Sequence, residues 1–65
     1  MNKDLFEYAM KRVGYRTPEQ RANIMGISRS AYYRRINQEC ECTKEEIGKV
    51  AELLGWELAK AIFFG

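Results

Sequence analysis

Sixty-five residues, 46% hydrophobic and 31% charged, suit one small globular domain near the lower size limit for unaided folding, and they are unlike a disordered chain. No apolar run approaches the roughly 20 residues of a membrane span and no signal-peptide core opens the chain, so a cytoplasmic protein is expected. The net charge of +2 is too small to identify a polyanionic partner by itself; its distribution along the chain says more.

The first helix is predicted from Asn2 or Lys3 to Val13. Leu5, Ala9 and Val13 repeat every four residues, with Phe6 and Met10 on the adjoining row, a broad stripe suited to a core. Lys11 and Arg12 complement the negative end of the helix dipole, and Gly14 stops the helix. Tyr15 and Arg16 bridge to the next element. Arg16 stands just ahead of a helix N-terminus, where it either meets a phosphate or is simply solvated.

The chain is organised around Thr17 to Asn37. Thr17 is an N-cap, Pro18 fits the first helical position, and Gln20 sits where a capping box wants Glu or Gln. This helix is predicted to run to about Met25, with Gly26 supplying the left-handed turn that only a residue without Cβ adopts freely. Ile27 returns to the interior, and Ser28 caps a further helix ending near Ile36 or Asn37. Ala22 is small where two helices must cross closely. Two short helices and a tight turn make a helix-turn-helix, whose second helix is built for a DNA major groove.

The second of these helices has two faces. Ile27, Ala31, Tyr32 and Ile36 form an apolar side, on which Tyr32 packs its ring with the hydroxyl at the edge. Ser28, Arg29, Ser30, Tyr33, Arg34 and Asn37 lie outward or at the exposed N-terminal end. No Asp or Glu occurs from Ile24 through Gln38, so nothing there repels phosphates. Arg29 and Arg34 are the candidates for base or phosphate contacts, and Tyr33 for a thymine methyl or a phosphate. Arg35 turns toward the flank, to reach a phosphate or to lay its stem along the core.

Gln38 to Cys42 reads as a loop. Its Cys-x-Cys pair lacks the further Cys or His ligands of a structural zinc site, and a disulfide across one residue is strained, so structural roles are expected. Cys42 can staple into the core and Cys40 is exposed. Thr43 and Glu46 form a capping box for a fourth helix whose Ile47, Val50, Ala51 and Leu54 face the core while Glu45, Lys49 and Glu52 face outward. Gly55 closes it. Trp56 is expected to fill the centre of the core, and Glu57 to about Phe63 forms a last helix with Leu58, Ala59, Ile62 and Phe63 inward. The apolar terminus either closes the core over Trp56 or brings Phe63 or Phe64 to a second subunit.

Residues 1–37 carry eight Lys/Arg against three acids, whereas residues 38–65 carry three lysines against six glutamates. Every arginine lies in the first half, and Arg is the side chain suited to bidentate phosphate and guanine contacts. The run Ala22, Gly26, Ile27, Ser28, Arg29, Ser30, followed by Tyr-Tyr-Arg-Arg-Ile-Asn, resembles the Cro/repressor (Xre-like) helix-turn-helix family, and small phage Cro-like or repressor-like regulators in particular. The resemblance covers nearly the whole chain. It implies an all-α, five-helix lambda-repressor-like DNA-binding domain over residues 1–65, with base reading by Ser28, Arg29, Ser30, Tyr33 and Arg34 and with Asn37 at the margin. It also implies the staple role for Cys42. Two positions depart from the family: Pro18 replaces a Gln that touches phosphate in many members, and Arg21 replaces an apolar residue beneath the turn, where Ile24 takes over part of the packing.

Catalysis has little purchase here. There is no His for general base work, no P-loop and no hydrolase elbow, and both cysteines sit among glutamates rather than cations. The expectation is a sequence-specific regulator of double-stranded DNA, without cofactor or metal, occupying an inverted-repeat operator as a homodimer, formed in solution or completed on DNA. The competing expectation is a helix-turn-helix interaction module, such as an antitoxin or an antirepressor partner.

Overall fold

Helix starts in this chain are written in short polar side chains, and the computed structural model, which describes residues 1–65, shows most of them in use. Five helices form: α1 (Lys3–Arg12), α2 (Pro18–Met25), α3 (Arg29–Ile36), α4 (Lys44–Leu54) and α5 (Trp56–Phe63). Asn2 Oδ1 accepts the Leu5 amide at 3.1 Å ahead of α1, and Ser28 Oγ accepts the Ala31 amide at 3.1 Å ahead of α3. Helices α2 and α4 open on complete capping boxes, Thr17 with Gln20 and Thr43 with Glu46. Each such cap stabilises its helix by about 1 kcal/mol. Helix α5 is the exception, because Gly55 precedes it and offers no side chain.

Three helices stop in the same way. After α1, α2 and α3 a residue turns left-handed, with φ of 97° at Gly14, 73° at Gly26 and 61° at Gln38. Paired amide bonds close each end: Ile27 N–H donates to Ala22 O at 3.0 Å and Gly26 N–H to Asn23 O at 3.1 Å, and the other two ends repeat this pattern. Glycine does this without strain; Gln38 does not. Lys49 of α4 brings its ammonium against the Gly26 turn, so close that a Cβ there would collide with it. Helix α2 has no cation in its own last turn, and Lys49 supplies one to that negative end.

Helix α2 packs on α3 and α4, α4 packs on α5, and α5 meets α1. Phe6, Met10, Met25, Val50 and Ile62 are enclosed at the centre, with Ala9, Ala22, Tyr32 and Ile36 around them. The Phe6 ring lies 6.4 Å from both the Tyr32 and Phe63 rings, tying α1 to α3 and α5. The Asn2 amide donates to the Ile62 carbonyl, which holds the two chain ends together. No helix is long and apolar enough to cross a membrane.

Two expected core residues are not in the core. Trp56 is 57% exposed. It is the first residue of α5, and helical side chains lean toward the N-terminus, so its ring projects past the end of the helix instead of over the centre that Phe6 and Ile62 fill. Val13 is also exposed, because it caps α1 where the chain already turns away toward Gly14. At the apolar terminus the two phenylalanines part company: Phe63 packs on the core, and Phe64 is 71% exposed.

Candidate nucleic-acid interface

Helix α3 buries Tyr32 and Ile36 and leaves the opposite side open. Ser28, Arg29, Ser30, Tyr33, Arg34 and Asn37 are all exposed. At 3.6 residues per turn, positions 29, 30, 33, 34 and 37 share one outward face, and the N-cap Ser28 stands exposed at its leading end. Two unpaired backbone amides at the start of α3, those of Arg29 and Ser30, add the positive end of the helix dipole to that surface. The Tyr33 ring stands edge-on to Tyr32, with centroids 5.8 Å apart, which props the exposed ring on a buried one.

One carboxylate approaches from outside the helix. Glu19, in the first turn of α2, stands 4.0 Å from Arg29 Nη1, with both side chains largely exposed. A solvated pair at that distance contributes little, so Arg29 is free to exchange it for a stronger anion. Arg34 has no acidic partner within salt-bridge distance.

Arg35 has a different role from its neighbours. Its Nε donates to Glu46 Oε1 at 3.0 Å and its Nη2 to Glu46 Oε2 at 2.9 Å, a fork-on-fork pair between α3 and the first turn of α4. Its Nη1 donates to Cys40 Sγ at 2.9 Å. Arg35 turns toward the flank, as expected, and its guanidinium is engaged there by Glu46 and Cys40. Glu46 also accepts the Thr43 amide at 3.3 Å, so one carboxylate caps α4 and holds α3. The guanidinium holds the Glu46 carboxyl below the usual carboxylate range, against the opposing effect of burial.

Arg21 is 5% exposed, and no carboxylate accompanies it. Its Nε donates to Tyr15 O at 2.9 Å, its Nη2 to Arg16 O at 3.2 Å and its Nη1 to Tyr32 Oη at 3.3 Å. One guanidinium thus binds the α1–α2 connection, α2 and α3 into a frame. The Tyr32 hydroxyl lies inside with it, not at the edge; burial pushes the phenol up, and Arg21 opposes that rise. Arg16 leaves its side chain exposed while its backbone serves the frame, donating N–H to Gln20 Oε1 at 2.9 Å and offering its carbonyl to Arg21.

No family model, curated protein or solved structure matches this chain.

Sequence reasoning did not find the Arg21–Tyr32 and Arg35–Glu46 pairs. A signal existed for the first: Arg21 is four residues before Met25 and adjoins Ala22, so it lies on the buried stripe of α2. For the second, the capping box marked Glu46, but nothing local joins it to Arg35 eleven residues earlier across a loop. The cysteines follow expectation in their exposure: Cys40 is exposed, and Cys42 packs against the core beside Ile47. Burial pushes the Cys42 thiol up to about 11.

Proposed function

We propose that this chain is a sequence-specific double-stranded DNA-binding transcriptional regulator of the Cro/repressor (Xre-like) kind, with a lambda-repressor-like arrangement in which α2 and α3 are the helix-turn-helix. The observation that carries this reading is the outward face of α3, where Ser28, Arg29, Ser30, Tyr33, Arg34 and Asn37 stand exposed with no carboxylate on the helix. Hydrogen-bonding side chains and arginines on one helical face match the donor and acceptor pattern of a major groove. In this reading the exposed Arg16, ahead of α2, meets the flanking backbone. Regulation needs no cofactor: occupying an operator excludes polymerase. A single small domain makes few base contacts, so a homodimer on an inverted repeat, with half-sites roughly 34 Å apart, multiplies affinity and specificity.

The test is selection of bound duplexes from randomised DNA at near-physiological salt. Enrichment of an inverted repeat with half-sites one turn apart is expected, and affinity for it should fall steeply as salt rises. An isolated half-site would remove the dimer and keep DNA reading. No enrichment by the folded protein would overturn the DNA reading in favour of a protein-interaction module. Arg34→Ala should cost roughly 1–3 kcal/mol on the selected site and relax preference at one position.

A further inference from the structure

Arg35 is the one arginine of α3 that turns inward, and the geometry points to a positioning role: we propose that the Arg35–Glu46 clasp sets the angle at which α3 presents Arg29, Ser30, Tyr33 and Arg34, and that Arg35 makes no phosphate contact of its own. This rests on the DNA-reading assignment for α3. Three observations support it. Helix α3 packs chiefly on α2 and seats Tyr32 and Ile36 in the core, and the clasp adds a directed polar tie from its C-terminal end to α4. The clasp is shielded, with side-chain exposures of 15% for Arg35 and 7% for Glu46, and its two parallel bonds fix direction as well as distance. The third donor group, Nη1, is held by Cys40, which fastens the left-handed turn at Gln38 to the same guanidinium. A charged residue one to six positions along the same helix from Arg34, Tyr33, Ser30 and Arg29, but turned to the opposite side, can therefore govern where they point without touching DNA.

A phosphate contact and a positioning clasp respond differently to two conservative changes. Glu46→Gln keeps an acceptor for the capping box with Thr43, removes the charge of the clasp and turns the oxygen that faces Arg35 Nη2 into an N–H donor. Arg35→Lys keeps the positive charge and loses the fork. If Arg35 positions α3, both variants, checked as folded by circular dichroism, bind the selected duplex on the order of tenfold more weakly, about 1.4 kcal/mol. Binding to scrambled duplex and the slope of log affinity against log salt stay as in the parent. If Arg35 instead neutralises a phosphate, Arg35→Lys binds normally, Glu46→Gln binds both duplexes more tightly, and Arg35→Met lowers the slope by about 0.9. That result overturns the proposal.

Amide hydrogen exchange in the free protein provides a second readout, independent of DNA. Glu46→Gln should speed exchange at Ile36 to Glu39 while leaving the central amides of α1 and α5 unchanged. Unchanged exchange at Ile36 to Glu39 would overturn the clasp even if DNA binding weakened. Faster exchange there, in a parent protein that selects no duplex, would uphold the clasp as the device that orients α3 and discard DNA as what α3 meets.

Discussion

Tyr32→Phe removes one oxygen and tests how the buried Arg21 is held. In the parent, Arg21 Nη1 has the Tyr32 hydroxyl as its hydrogen-bond partner, at 3.3 Å, in a site where the arginine is 5% exposed. Deleting that acceptor leaves a charged donor group unpaired where water scarcely reaches. A hydrogen bond to a charged group contributes roughly 1.5–3 kcal/mol, and the long distance here argues for the lower end, so a loss of about 1–2 kcal/mol is expected. That is a large part of a total on the order of 3–10 kcal/mol for a 65-residue domain. The same change in an Arg21→Leu background should cost less than about 0.5 kcal/mol, since an unneeded hydroxyl then leaves an apolar site. Urea unfolding of the four proteins gives the coupling directly, and each 1 kcal/mol should also move Tm by about 4–8 °C. Equal costs of Tyr32→Phe in both backgrounds would refute the reasoning, and Arg21 would then be a solvated cation that merely lies near the ring.

Three further outcomes are expected. The Glu46 carboxyl is held below its ordinary range in the folded state, so its contribution is present above the unfolded value of about 4.3 and is lost as pH falls through the lower, folded value; thermal melts from pH 7 to pH 2.5 should decline less steeply for Glu46→Gln than for the parent, and parallel curves would contradict this. Gln38 has φ of 61° with its amide and that of Glu39 bonded back to Arg35 and Arg34, so Gln38→Gly keeps every bond, relieves the left-handed strain and should raise stability by about 0.5–1 kcal/mol in urea unfolding. Iodoacetamide at pH 8 should label the exposed Cys40 and spare Cys42, whose thiol is pushed up to about 11 and is largely protonated there; mass spectrometry of the peptides would show the order, and equal labelling would mean the staple opens.

Much of this architecture was legible because its causes are local. Asn2, Thr17, Ser28 and Thr43 each act on an amide three residues ahead, and Gly14 and Gly26 act on the turn they occupy, so each boundary follows from a few neighbouring residues. The outward face of α3 was legible for the same reason: its period is a property of the helix itself. Gln38 shows the limit of such reading, since a turn normally marked by glycine is made here by a residue that carries no such mark.

Local sequence thus determined the five helices, the polar and glycine caps that bound them, except the turn at Gln38, and which residues of α3 stand outward. Tertiary structure alone decided the fate of residues whose environment comes from distant parts of the chain. Trp56 has the composition of a core residue, yet its place at the leading end of α5 carries it past the centre. Arg21 and Arg35 have the composition of phosphate ligands, yet one meets Tyr32 and the other Glu46, each eleven residues away. A guanidinium is long, always charged and rich in donors, so its role is set by the acceptor that folding brings nearest. Helical period places an arginine on a face; only packing determines whether that face meets solvent or another helix.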